Sequence, residues 1–260
     1  MPVGGINVAV GGESFVEGGW VGPVKMVGFT AETFSKWTYR VSLVVQGVAF
    51  AVSVAALIVG RNRVDESSRR RLAYQALILE SVVNLVQGMW YIFAPLASGG
   101  GAWRSGRMPP TQFRYIDWVL TTPTMLVSLA AVAAYWNDTG ETTLRDLFGG
   151  AAGCALLNAM CADIVMLAFG WVGLGIRNSG LQKKCVAAGF VPFVQIWVNM
   201  GVGFIGGLGS LAAIILTAIV WLVYGVVKLA APVRWYDGWF NILDTISKNV
   251  FSLVLSLVSF

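Results

Sequence analysis

The chain has 260 residues, 57% of them hydrophobic and only 12% charged, with a net charge of +5 and a mean hydropathy of +0.71. That balance excludes an ordinary soluble domain and belongs to polytopic membrane proteins. There is no histidine, and the three cysteines lack a CxxC spacing, which excludes the usual zinc sites and a disulfide framework.

The first 35 residues are rich in Gly and Val, carry Glu13 and Glu17, and have no basic stretch leading into an apolar core. A cleaved signal peptide is therefore not expected. Residues 1–37 read as an external segment, with a short helix near Thr30 to Lys36, and residues 38–260 as the membrane domain.

A bilayer core about 30 Å thick takes about 20 mostly apolar residues per helical span. Spans are predicted at Thr38 to Gly60, Leu72 to Pro95, Thr111 to Trp136, Leu147 to Trp171, Lys183 to Gly203, Leu208 to Leu229 and Phe240 to Phe260. Long apolar runs without alternation exclude a barrel. The expected fold is an all-α integral membrane protein, a multi-pass bundle of seven helices.

The basic residues gather at helix ends and form no face for a nucleic acid, so the partner is the lipid bilayer. Arg61, Arg63, Arg69, Arg70 and Arg71 form the densest basic cluster, which puts the first loop in the cytoplasm and the N-terminus outside. Arg177, Lys183 and Lys184 fall on the outer side and oppose this assignment. Between the fifth and sixth spans, Gly203 to Ser210 carries no charge and reads as a tight turn. Cys154, Cys161 and Cys185 read as small buried hydrophobes. No repeat or second domain is visible, and no output domain is expected after the last helix.

Charges inside spans are costly and are paired or functional. Here they are Glu80, Arg114, Asp117, Asp163, Lys228, Asp244 and Lys248. Asp244 and Lys248 stand at i and i+4, and Arg114 and Asp117 at i and i+3, so each pair shares a helix face. One reading is an ion-pair network stapling helices three and seven. The other is a retinal Schiff base, because a buried amine beside a carboxylate suits imine chemistry and the acid stabilises the protonated imine.

The motifs decide between these readings. Arg114-Tyr-Ile-Asp-Trp-Val-Leu-Thr-Thr-Pro123 resembles the third-helix signature of microbial rhodopsins, and Leu243-Asp-Thr-Ile-Ser-Lys248 resembles their retinal-attachment segment. Ala162-Asp-Ile-Val-Met166 with Gly170 is similar to their fourth helix, and Trp221-Leu-Val-Tyr224 to their sixth. The resemblance covers the chain from about Thr38 to its end.

It implies all-trans retinal bound covalently to Lys248 in the bundle core. Asp117 would be counterion and proton acceptor, Asp244 the second counterion, and Arg114 the balancing cation. Trp118 and Trp221 would sandwich the polyene, with Thr122, Met125, Met166, Gly170 and Tyr224 completing the pocket. Two departures stand out: Gly225 where the family often has proline, and Lys228 where it has a further aromatic. Lys228 reads as a surface lysine reaching toward the outer headgroups.

The third-helix triplet is Asp117, Thr121 and Ser128. An aspartate in the first place argues against a chloride pump. Ser128 stands where strong outward proton pumps carry an acid, and a serine hydroxyl cannot return a proton at physiological pH. Glu80 lies at matching depth on helix two and is a candidate proton-return or gate residue. With Asn84 and Gln87 it forms a polar stripe, which fits a proton wire, a hydrated cation path or interhelical hydrogen bonding; Asn249 adds a polar group beside Lys248.

The triplet, the run Thr121-Thr-Pro-Thr-Met-Leu-Val-Ser128 and Ser247-Lys-Asn249 resemble rhodopsins of giant viruses, for which proton pumping and light-gated cation conductance are both known. The expected function is an outward light-driven proton pump, with a light-gated cation channel and a sensory photoreceptor as alternatives. Transport of protons or small cations is implied, with no enzymatic turnover and no metal. A homo-oligomer is also implied, its order set by no residue visible here.

Overall fold

The computed structural model describes residues 9–10, 13–16, 19–20, 30–61, 68–97, 110–137 and 143–258. Arg63 and Glu17, and the side chains of Arg69 and Glu13, lie outside the described residues, as does most of the expected external segment. Within that segment, strands β1 (Ala9–Val10), β2 (Glu13–Val16) and β3 (Gly19–Trp20) pair antiparallel in the order β1-β2-β3. The sequence reading did not anticipate them.

Seven helical spans follow. The first is Ala31–Gly60, the second Ser68–Ala97, the third Pro110–Asn137, the fourth Gly150–Gly175 and the sixth Leu208–Ala230. The fifth is two helices, Ser179–Ala188 and Phe190–Phe204, meeting at Gly189. Pro192 has no N–H to offer the Ala188 carbonyl four residues earlier, which favours the break there. The seventh is assembled from Tyr236–Asp244, a π-turn Thr245–Val250, and Phe251–Val258. Among the described residues the first six spans are long and apolar enough to cross a membrane, the fifth counted over Ser179–Phe204 across its break.

Several boundaries differ from expectation for local reasons. The short helix expected near Thr30 is the first turn of the first span: the Thr30 hydroxyl accepts from the Thr33 N–H at 3.1 Å, and Lys36 pairs with Glu32 at 2.6 Å. A serine or threonine in that capping position satisfies one of the helix's free N–H groups. Leu147 belongs to a short 3-10 turn, and the fourth helix starts at Gly150, whose φ of +58° suits a residue without a Cβ. The expected tight turn between spans five and six is there: the Ser210 hydroxyl accepts from the Gly206 and Gly207 N–H groups, each at 3.2 Å.

Large apolar side chains such as Leu77, Leu126, Ile196 and Phe240 fill much of the bundle core, but many polar and small ones are buried beside them. On the first helix the buried face is Thr38, Ser42, Gln46, Ala49 and Ser53, while Val44, Val48 and Val52 point outward. In lipid the outer surface has no reason to be polar, so small and polar side chains collect where helices touch. The same inversion corrects the reading of the cysteines. Cys154 and Cys161 are exposed on the fourth helix, Cys185 is half-buried, and all three are free. The third helix packs against the second, fourth and sixth, which sets its functional side chains at the centre.

Candidate functional site

Helices three and seven bring four buried charges together. Lys248 Nζ lies 2.7 Å from Asp117 Oδ2, and Arg114 Nη1 lies 2.5 Å from Asp244 Oδ2. The sequence spacing puts Asp244 with Lys248 and Arg114 with Asp117, but the fold pairs them crosswise, each cation with the carboxylate of the opposite helix. Neighbours on one helix face project side by side, so they meet an opposing charge most directly across the interface.

The two carboxylates differ in their surroundings. Asp244 accepts from Arg114, from Trp118 Nε1 at 3.1 Å and from the Tyr224 hydroxyl at 2.8 Å. Asp117 accepts only from Lys248 among the described residues, and its Oδ1 has no hydrogen-bond partner. The Thr121 hydroxyl does not bridge the carboxylate; it donates to the Asp117 carbonyl at 2.9 Å. Arg114 also bonds Asn241 Oδ1, stands 4.4 Å from the Trp90 ring centroid and reaches Asp237 at 3.9 Å.

From Lys248 a cavity runs between helices three to seven. Trp118, Thr122, Met125, Met166, Gly170, Trp221 and Tyr224 all line it. Lys248 lies within the π-turn, a geometry that recurs at functional sites.

Residues 37–259 match the family model described as bacteriorhodopsin-like protein. The chain belongs to that family.

A green-light absorbing proteorhodopsin from Gamma-proteobacterium EBAC31A08 is 24% identical over 239 residues, spanning 80% of this chain and 84% of that protein. Viral rhodopsin OLPVRII superposes with a TM-score of 0.66 at 16% identity, over 85% of this chain and 95% of its own. The proton pumping rhodopsin AR2 of the marine alga Acetabularia acetabulum gives 0.57 at 20% identity, over 84% and 93% respectively. At these identities the solved structures bear on the fold alone.

Rhodopsins of this family bind retinal covalently, and the residues of this chain fit that group. The cavity is walled by aromatic and thioether side chains and carries a buried primary amine held by a buried carboxylate. Such a slot accepts a long apolar polyene and offers one nucleophile.

On the other side of Lys248 the rhodopsin is built differently. Glu80 is fully buried, faces Ser128, and has no hydrogen-bond partner among the described residues on either carboxyl oxygen. The Ser128 hydroxyl donates to the Thr124 carbonyl instead, at 3.3 Å. Of the stripe, only Asn84 is tied in: it accepts from Gln46 at 3.0 Å and donates to Ser252 at 2.7 Å. Both Gln87 side-chain polar atoms and Asn249 Oδ1 have no partner among the described residues. Asp163, given no role by the sequence, meets the Thr122 hydroxyl at 2.7 Å.

Lys228 is a correction. It does not reach outward: it is 8% exposed, lines the cavity, and donates to the Tyr115 hydroxyl and, at 2.9 Å, to the Gly170 carbonyl. Gly170 has no Cβ, and one placed there would collide with the Tyr115 hydroxyl. Sequence reasoning also missed Asn241, Trp90 and Tyr91 around Arg114. Asn241 was findable, being one helical turn before Asp244.

Proposed function

We propose that this rhodopsin is an outward light-driven proton pump with retinal attached to Lys248. The observation that carries the reading is the 2.7 Å contact of Lys248 Nζ with Asp117 Oδ2, beside an Asp244 already supplied with three donors. When bound, retinal supplies light absorption and an isomerisation that moves the linkage nitrogen relative to its resting partners.

Asp117 takes the proton, because its Oδ1 has a lone pair that no donor among the described residues occupies. Asp244 stays ionised, since Arg114, Trp118 and Tyr224 all hydrogen-bond to its charged form. Trp118 and Trp221 hold the polyene, with Thr122, Met125, Met166, Gly170 and Tyr224 shaping the slot. Arg114, linked to Asp237 and Asn241, leads away from Asp117 toward the outer face. The basic cluster around Arg61, Arg70 and Arg71 puts the opposite end in the cytoplasm, with the N-terminus extracellular.

Glu80 returns a proton from that cytoplasmic half. Ser128 cannot supply one, whereas Glu80 is an acid facing it. Asn249, buried and next to Lys248 in the sequence, is a polar group available near the end of that transfer.

A light-gated cation conductance is the second reading, and one observation favours it: the carboxyl oxygens of Glu80, the amide of Gln87 and Asn249 Oδ1 are buried and have no partners among the described residues, as a path that fills with water would need. Voltage-clamp photocurrents from retinal-loaded protein separate the two. Outward current that persists without reversing as voltage, ion and pH gradients are changed is the pump. Current that reverses at an ion's equilibrium potential is the channel.

A further inference from the structure

The proton route leaves two buried ionisable groups without a task, Asp163 and Lys228, and Lys228 is the one that lines the cavity. Lys228 has no carboxylate partner among the described residues, since none of their ion pairs includes it. Its Nζ is held by a phenol oxygen, a backbone carbonyl and the Tyr115 ring 4.6 Å away. These dipoles fix the amine in place and bring no counter-charge to it.

Its place in the cavity follows from the helices it touches. Tyr115 stands two residues before Asp117, about 200° round the third helix. Asp117 turns toward Lys248 and the seventh helix, and Tyr115 turns toward Lys228 and Gly170 on the sixth and fourth. Lys228 therefore lines the same cavity as Lys248 but on the side turned away from Asp117, and that is where the ring of an attached retinal would end.

We propose that Lys228 sets the colour of this rhodopsin, as a buried cation at the ring end of the cavity that moves the absorption band to shorter wavelength. The inference rests on retinal being attached at Lys248. In the ground state the positive charge of a protonated linkage sits near its nitrogen, beside Asp117; light absorption shifts it along the conjugated chain toward the ring. A cation at the ring repels the excited state more than the ground state and widens the gap. The repulsion falls with distance and with dielectric constant, so it needs a buried, unpaired lysine close to the ring. A lysine reaching into water would be screened.

The test is the absorption maximum of the retinal-loaded full chain in lipid nanodiscs, for wild type and for Lys228→Met, Lys228→Gln and Lys228→Arg. Both neutral variants are expected at longer wavelength than wild type, with Lys228→Arg close to it. The gap between wild type and Lys228→Gln should shrink when the proteins are loaded with a retinal whose ring double bond is saturated, because the conjugation then stops short of the charge. Lys228→Gln keeps the hydrogen bonding and serves if the Met variant does not fold. Neutral variants at or below the wild-type wavelength, or a displacement by Arg equal to that by Gln, would overturn the inference. A wild type that forms no visible band would instead overturn retinal attachment at Lys248.

Discussion

On the Arg114 side of Lys248, guanidinium, carboxylates, indole and phenol are joined: Asp244 has three donors, and Arg114 has Asp244, Asn241 and the Trp90 face. On the Glu80 side, a fully buried carboxyl group, a glutamine amide and an asparagine oxygen have no partners among the described residues. An unmade buried hydrogen bond costs about 1–3 kcal/mol, so the second arrangement is the one that gains from admitting water or shifting a helix. The first half is organised before light arrives. The second half is where proton return, or an open path, is decided.

The largest expected effect lies at the junction of the two halves. Lys248→Ala removes the only amine in contact with Asp117 among the described residues, and the purified protein is expected to show no visible absorption band after incubation with retinal. Next, Asp117→Asn keeps the shape of the organised half but removes its acceptor. Outward photocurrent should vanish while pigment still forms, and full pumping by this variant would sink the assignment of Asp117.

Glu80→Gln tests the other half. A positioned acid accelerates proton transfer by roughly 10²–10⁴-fold, so flash photolysis should show recovery slowed by about 10²-fold or more, with Ser128→Asp in the same chain restoring part of the rate. An unchanged recovery would remove Glu80 from the return path, and an altered reversal potential would favour the channel. The smallest effect is expected from Ser252→Ala, which takes away the partner of Asn84 Nδ2 and one of the two partners of the Ser53 hydroxyl. Stability should fall by about 1–3 kcal/mol, read as a lower thermal midpoint. No change there would mean that water already replaces this hydrogen bond and that the half is wetter than its protein contacts suggest.

The number of spans was readable because each needs a long apolar run, and charges within such runs are rare enough to mark themselves. Asp244 and Lys248 could be placed on one face from spacing alone. Their crosswise partners could not, since that depends on how helices three and seven are rotated against each other. The outward position of Cys154 and Cys161 was equally hidden. The fourth helix is apolar on nearly every side, and periodicity cannot tell a lipid face from a core face when both are greasy.

The chain by itself determined a seven-span membrane protein of the rhodopsin type, with Lys248, Asp117, Asp244 and Arg114 as its central charges, because hydropathy and motif spacing are local and survive without a fold. Only the tertiary structure decided that Asp117 is the less occupied carboxylate, that Glu80 lies buried and unpartnered, and that Lys228 turns inward. Each of those depends on side chains from other helices, on Trp118 and Tyr224 for Asp244 and on Tyr115 and Gly170 for Lys228. A helix carries its own spacing in its sequence, but what lies opposite it is set by packing.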